Sequence, residues 1–316
     1  MAPAEKLAMR QFGATGLRVT PLCMGCSGLS SMPEVFGYEV SEEQALAALR
    51  TTFRSPIKFL DTAAAYGDGE SERRIGIVLR EFGGLPVGYV LSTKVDRDLA
   101  TGDFGGHQAE KSIERSLKLL GLDHFQIVFL HDPEVTTFEN IMQPGGAVDV
   151  MLRYKEQGII DHIGVAGGPI DLMIRYVETG AFAAVLTHNR YTLLNRAAEP
   201  LIDLAAARGM AVLNAAPYGG GILARGPDAL PRYAYREADA MTLERARQMQ
   251  AICGEYGVPL AAAALQFSVR DARLTSTVVG MTRSERVQQT IEFAEWETPI
   301  QMWERLDEVG FSTEDL

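Results

Sequence analysis

Short apolar runs alternate with longer amphipathic stretches from one end of the chain to the other. Runs at 19–25, 57–61, 88–93, 125–130, 160–165, 183–187, 210–214 and 275–279 have the length and β-branched content of strands. Between them, near 41–53, 70–81, 107–120, 147–157, 170–178, 198–208, 242–256 and 283–294, the pattern turns helical. The first helix opens on Ser41-Glu42-Glu43-Gln44, a capping-box signature. Apolar runs of this kind fit strands covered on both faces, and so a parallel sheet wrapped by helices. Eight strand–helix pairs in series favour a closed (β/α)8 TIM barrel over an open doubly wound sheet. An open sheet would also want G-x-G-x-x-G after its first strand, which is absent. Two segments stand outside the repeats. Residues 225–241 (RGPDALPRYAYREADAM) read as a loop over the barrel mouth after the seventh strand. Residues 259–270 (PLAAAALQFSVR) read as an extra helix before the last strand, with Pro259 in its first turn. No linker or break in composition divides residues 1–316, so one domain is expected.

Composition narrows the classes of function. The chain has 316 residues, 47% of them hydrophobic, and a net charge of −11 with no basic cluster, which excludes a nucleic-acid footprint. The opening MAPAEKLAMRQFG has no apolar core of leader-peptide length, and no apolar run reaches the roughly 18 residues of a membrane span. A cytoplasmic protein is expected, with no membrane partner; the sequence leaves its oligomeric state open. Three cysteines are too few for a disulfide framework. Cys23-x-x-Cys26 has the letters of a redox motif, but no helix starts immediately after Cys23. On an extended segment the two side chains point to opposite faces, so packing or ligand-pocket thiols are expected.

Candidate chemistry lies where the apolar runs stop. I-K-F-L-D ends at Asp61, Y-V-L-S-T-K at Lys94 and I-V-F-L-H at His131, while Tyr66 follows Asp61 in FLDTAAAYG. An ionisable residue at the C-terminal end of a barrel strand stands on the face where such barrels build active sites. Taken singly, Asp61-Thr62 could cap a turn, Lys94 could be a solvated strand end, Tyr66 could pack and His131 could open the turn at Asp132-Pro133. Taken together, phenol, ammonium, carboxylate and imidazole suit proton transfer at a carbonyl or hydroxyl oxygen. The free phenol titrates near pH 10, so Tyr66 needs help near neutrality. A Lys94 ammonium beside it would lower that value, and Asp61 would hold Lys94 in place. His131 could orient a substrate oxygen. No two histidines have metal-ligand spacing, so no metal is expected.

D-T-A-x-x-Y-G, S-T-K and H-D-P, in this order, resemble the aldo-keto reductase superfamily. FGATGLRVTPLCMGCSGL is similar to its first hairpin and strand, GIIDHIGVAGG to its I-R-x-I-G-V-S segment, and RYTLLNR to the Y-x-L-L-N-R after its sixth strand. The resemblance implies an NADP- or NAD-dependent (β/α)8 barrel in which Tyr66 is the general acid/base, Lys94 and Asp61 tune it, and His131 orients the substrate. NAAPYGGGILARG, RYAYREA and GVPLAAAALQFSV resemble the branch of aldose 1-dehydrogenases (L-fucose or D-threo-aldose) and pyridoxal 4-dehydrogenases. Both oxidise a cyclic hemiacetal to a lactone. A small polar substrate, sugar or pyridoxal, is therefore implied, the sugar preferred; an NADPH-dependent aldehyde reductase is the alternative. Leu316 follows soon after the last helix candidate, so the long C-terminal loop that encloses apolar substrates in steroid-handling relatives is not expected. Tyr233 and Tyr235 in the 225–241 loop would stack on a sugar ring.

The same resemblance implies cofactor contacts at Gly25, Cys26, Ser27, Asp61 and His188, then at Pro217, Tyr218, Gly219, Gly221 and Leu223, and finally at Gly280, Thr282, Arg286, Gln289 and Thr290. Ala166-Gly167 and His188 stand where many members have Ser-Asn and Gln against the carboxamide. Ala215 matches the usual aromatic over the nicotinamide, with Tyr218 the nearest replacement. Pro217-Tyr218-Gly219-Gly220-Gly221 reads by itself either as a flexible turn or as a ligand loop whose N–H groups cradle a pyrophosphate. Gly280-Met281 replaces a Lys-Ser pair that often holds the 2′-phosphate, while Arg286 matches the remaining arginine. A guanidinium fork still binds phosphate, so NADP and NAD both stay open.

Overall fold

The computed structural model describes residues 7–316. Residues 1–6, part of the stretch expected to hold no leader peptide, lie outside the described residues. Eight strands are hydrogen-bonded side by side: β1 (Leu22–Gly25), β2 (Phe59–Asp61), β3 (Val90–Val95), β4 (Phe125–His131), β5 (Ile160–Ala166), β6 (Ala184–His188), β7 (Ala211–Ala215) and β8 (Ser276–Gly280). They close into a barrel, every neighbouring pair parallel, with β8 completing the ring against β1 through Gly280 and Gly25. The outer layer contains α1 (Glu42–Arg54), α2 (Glu70–Glu81), α3 (Gly106–Leu120), α4 (Ala147–Glu156), α5 (Ile170–Glu178), α6 (Glu199–Ala207), α7 (Ala240–Glu255), α8 (Leu260–Val269), α9 (Ser284–Glu295) and α10 (Ile300–Val309). The expected (β/α)8 TIM barrel is the fold, and α8 is the expected extra helix before the last strand.

The period-two alternation of each strand divides its side chains between two cores. Leu60, Leu91, Val128, Leu130 and Val165 face outward and pack with the helices. Cys23, Phe59, Val90, Phe129 and Leu213 face inward and fill the barrel. Gly164 has no side chain because Phe129 needs the space: a Cβ there would come within 2.5 Å of the ring. The N-terminal hairpin, Arg10–Gln11 paired with Arg18–Val19, plugs the lower end, with Phe12 edge-on to Phe59 at 5.9 Å. The inward parity that begins at Phe59, Val90 and Ile127 continues to Asp61, Lys94 and His131 at the upper end. The packing of the barrel therefore fixes the direction of the candidate residues.

Several boundaries differ from the pattern. The apolar run 19–25 contains two elements, because Pro21 has no N–H and separates hairpin residue Val19 from β1. The third strand runs on to Val95, placing Lys94 inside the ladder opposite Phe129. Ser41 Oγ accepts the Gln44 N–H at 3.2 Å, but the Gln44 side chain does not complete a capping box. It donates instead to the Thr282 carbonyl at 2.9 Å and ties α1 to the segment after β8. Pro259 is the N-cap of α8, one place outside the helix. Short helices at Pro33–Phe36, Phe138–Met142 and Ile222–Arg225, and the whole of α10, lack a counterpart in the pattern reading. Among the described residues, no helix is long and apolar enough to cross a membrane.

Candidate active site

The upper ends of the eight strands meet in a ring of inward residues. One group carries functional side chains: Asp61, Lys94 and His131 on the adjacent strands β2, β3 and β4, with His188 on β6. The other four, Ala166, Ala215, Gly280 and Gly25, are glycine or alanine. All eight line one cleft of about 270 Å³. The small residues leave room over β7, β8 and β1 for a flat group to lie beside the ionisable cluster.

Lys94 is the centre of that cluster. An ammonium has three hydrogens and accepts nothing. Here they go to Asp61 Oδ2 at 2.6 Å, the Thr62 carbonyl at 2.7 Å and the phenol oxygen of Tyr66 at 3.1 Å. Ser92, one inward position below Lys94, donates to the other oxygen of Asp61 at 2.7 Å. Asp61 and Lys94 are 2% and 1% exposed, so this is a buried ion pair with its hydrogen-bonding capacity filled. Burial by itself would depress the Lys94 pKa, but Asp61 and Tyr66 outweigh it and the net direction is upward. The Tyr66 loop turns sharply through Gly67, at φ +59°, where a Cβ would strike Ser30 at 2.6 Å. This is the local reason for glycine after the tyrosine.

The phenol corrects one expectation. Burial raises the Tyr66 pKa more than Lys94 lowers it, and the net shift is upward. Because Lys94 donates to the phenol oxygen, the phenol's own hydrogen is free for the cleft. Tyr66 thus stands as a neutral acid rather than an incipient phenolate. His131 lies edge-on to it, ring centroids 5.5 Å apart. Its Nδ1 is 2.6 Å from Asp96 Oδ1, and Asp132 Oδ1 stands 3.8 Å from its Nε2. Burial opposes the imidazolium, but Asp96 and Asp132 outweigh it, and the His131 pKa is raised. His188 lacks such a partner, and burial pushes it down to about 4. It is therefore neutral near pH 7, with Nδ1 3.2 Å from the side-chain amide of Asn189.

The residues expected to hold a cofactor separate into three groups. Gly25, Cys26, Ser27, Asp61, His188 and Gly280 line the cleft beside Lys94. Thr282, Arg286, Gln289 and Thr290 follow on the segment after β8 and the first turns of α9. Arg286 is exposed and its guanidinium meets the Gln289 side chain, while Thr290 is buried and donates to the Arg286 carbonyl at 2.7 Å. The third group lies in a tightly packed turn. The N–H groups of Gly219 and Gly221 donate inside the turn, to Ala216 and Tyr218, at 3.0 Å each. A Cβ at Gly219 would meet the Tyr233 ring at 2.3 Å, so this turn is packed against the 225–241 loop and is not an open cradle. Pro217 is buried, Leu223 sits in a separate apolar cluster with Tyr233, Met249 of α7 and Leu260 of α8, and its N–H donates to the Tyr218 carbonyl at 3.2 Å. Tyr218 packs against that cluster and against the core between strands and helices, and does not line the cleft; its phenol lies in the field of Arg286.

The loop over the mouth also differs in detail. Tyr233 is buried, and its hydroxyl donates to the Asn189 carbonyl at 2.5 Å; only Tyr235 of the expected aromatic pair reaches the cleft. Tyr235 meets Phe36 edge-on at 5.9 Å, and Phe36 stacks on Tyr38 at the same distance. An aromatic arch therefore crosses the opening from the 31–40 segment to the 225–241 loop. Phe36, Tyr38 and Asp96 carried no sequence signal: an Asp-Arg-Asp run after a strand reads as solvated loop. Cys23 and Cys26 are free, lie in different apolar clusters, and burial pushes both thiols up, as packing thiols require. Among the described residues, no group of three or more His, Cys, Asp or Glu could hold a metal ion.

Comparison with known proteins adds the following. Residues 21–310 match the Aldo/keto reductase family. A pyridoxal 4-dehydrogenase of Microbacterium luteolum is 28% identical over 95% of this chain and 97% of its own. A D-threo-aldose 1-dehydrogenase of a Pseudomonas species is 28% identical over 93% and 95%. An L-galactose dehydrogenase of Arabidopsis thaliana is 29% identical over 90% and 88%. In three dimensions an aldo-keto reductase of Bacillus halodurans, in its holo form, superposes with a TM-score of 0.80 at 19% identity over 98% of both chains.

Proposed function

We propose, for a chain that belongs to the aldo/keto reductase family, that this oxidoreductase oxidises the anomeric hydroxyl of an aldose to a lactone. NAD or NADP is the proposed partner, and Tyr66 the proposed general acid/base. The observation that carries the reading is the saturated Lys94 ammonium, held by Asp61 and Thr62 and spending its third hydrogen on Tyr66. That arrangement leaves the phenol with one free hydrogen and one spare lone-pair direction at the cleft, which is what exchange of a proton with a substrate oxygen requires.

The residues fit a nicotinamide cofactor by shape. Gly25, Gly280, Ala215 and Ala166 clear a floor beside Lys94, and at Gly25 a Cβ would stand 3.0 Å from Val278. Neutral His188 and the Ala166-Gly167 backbone would meet the carboxamide, and Arg286, with Arg283, would meet the adenosine phosphates. When bound, the nicotinamide supplies the hydride acceptor. The chain's own residues do the rest. His131 orients the hydroxyl, and Tyr66, once deprotonated, takes the hydroxyl proton. Lys94 stabilises the phenolate by charge and hydrogen bond. Tyr235 gives an aromatic wall for a sugar ring.

A second reading is favoured by the pyridoxal 4-dehydrogenase relative: oxidation of pyridoxal through its cyclic hemiacetal, with the same four residues in the same roles. The test is reduced-nicotinamide absorbance with purified protein, offering NAD and NADP separately with L-fucose, other aldoses and pyridoxal. Turnover and a lactone product from an aldose support the first reading; turnover from pyridoxal alone supports the second. Consumption of NADPH with simple aldehydes, and silence otherwise, would overturn both.

A further inference from the structure

The Asp96 carboxylate is 3% exposed and held on every side. One oxygen stands 2.6 Å from His131 Nδ1, and the other accepts the N–H of Ala65 at 2.8 Å. Its backbone N–H donates to Ser112 Oγ at 3.1 Å, and its carbonyl accepts from Gln108 Nε2 at 3.2 Å, both on α3. Asp96 therefore cannot swing aside. One carboxylate grips the imidazole and also the residue immediately before Tyr66.

An ionised carboxylate only accepts, so the nitrogen beside it must carry hydrogen. The geometry points to Asp96 as a positioning residue that fixes His131 in the Nδ1–H tautomer, leaves Nε2 for the substrate oxygen, and spaces the Tyr66 loop from the imidazole. This inference rests on the reading of the site given above. Its consequence is that His131 changes character with charge. As neutral imidazole its Nε2 accepts a hydrogen bond from a substrate hydroxyl; as imidazolium its Nε2 donates one to a carbonyl. The groups facing the ring are Asp96 at the end of β3, Asp132 beside it, Tyr66 edge-on and Lys94 on β3, with His188 and Glu134 in its field. Two of the closest are carboxylates, so removal of Asp96 makes the imidazolium harder to form.

The experiment is histidine-labelled nitrogen NMR of the full chain, with His131→Gln to assign the signal, on the wild type and Asp96→Asn. The wild type needs no variant to be informative: it should show Nδ1 protonated and Nε2 bare above its titration. In Asp96→Asn the titration should move to lower pH. A wild-type Nε2–H tautomer, or the same titration in both proteins, overturns the proposal. Neither readout needs a substrate, so a failure of the aldose reading does not mimic a failure here. Once a substrate is in hand, Asp96→Asn should lower kcat by at least about tenfold, equal to about 1.4 kcal/mol in the barrier. It should leave cofactor KM unchanged and do nothing further in a His131→Gln background. Additive losses in the double variant would also overturn it.

Discussion

The Lys94 ammonium donates to the phenol oxygen of Tyr66 across 3.1 Å, and it does so with the last of its three hydrogens. The direction of that bond decides which way the phenol faces. Its oxygen is held from the lysine side and its hydrogen is released toward the cleft. Burial meanwhile keeps the phenol neutral, against the pull of Lys94.

That balance predicts different pH profiles for the two directions of reaction. Reduction needs the phenol and oxidation needs the phenolate, and burial shifts the equilibrium toward phenol. Oxidation turnover should therefore climb with pH into the alkaline range, while the phenol that reduction needs stays protonated and its turnover should hold level. Steady-state rates from pH 6 to 10 check this, and oxidation that declines as pH rises above neutrality would contradict it.

Lys94 and Asp61 should be inseparable in stability. Removing one member of a buried pair strands the other charge, at a cost of about 3–5 kcal/mol. Lys94→Met alone should lower the urea midpoint sharply. Adding Asp61→Asn should recover most of that loss without restoring activity. Equal midpoints for the single and double variants would show that the pair is not the source of the effect.

A buried carboxyl on α2, Glu72, predicts a pH-dependent stability. It is fully buried on α2, with the Thr93 hydroxyl donating to it at 2.5 Å, and burial lifts its pKa from 4.5 to about 7. The unfolded chain ionises it first, so the folded state loses stability as pH rises from about 4.5 to about 7, and the deficit is complete above that. Glu72→Gln should therefore be more stable than wild type at pH 8, by on the order of 2–3 kcal/mol, and the gap should narrow toward pH 5. Chemical denaturation at both pH values measures it.

Gly25 tests the cofactor floor without touching an ionisable group. A Cβ there stands 3.0 Å from Val278 Cγ1 and 3.4 Å from the Val279 backbone. Gly25→Val should weaken nicotinamide binding by at least about tenfold, or about 1.4 kcal/mol. Fluorescence titration of the cofactor would read this directly, and unchanged affinity would move the cofactor away from β1.

The barrel and the positions of Asp61, Lys94 and His131 at its upper end were legible because both follow from strand periodicity, whereas Tyr66 lies on the loop after β2. An apolar run ending at Asp61, Lys94 or His131 states its own direction. The misses were of other kinds. Tyr233 and Tyr235 are indistinguishable by pattern, and what separates them is a tight turn with Ala234 at φ +47° and Tyr235 at φ +67°, a conformation such residues rarely adopt. The packing of the Gly219–Gly221 turn left no sequence signal because its partner, Tyr233, comes from another segment. The C-terminal tail docks on the RYTLLNR segment, where Asp315 meets Arg190 and also accepts the Ile170 N–H at 2.8 Å. Contacts across such separations leave no local trace in a sequence. Lys94 lowering the phenol pKa was the right interaction with the wrong net sign, because burial is a property of the folded chain and not of the motif.

The most direct measurement compares wild type with Tyr66→Phe, following reduced nicotinamide from an aldose that the wild type oxidises, with cofactor affinity measured in parallel. A phenol that carries the proton predicts a loss of turnover of about 10²-fold to 10⁴-fold, with cofactor binding nearly unchanged. An unaltered kcat in Tyr66→Phe would contradict it.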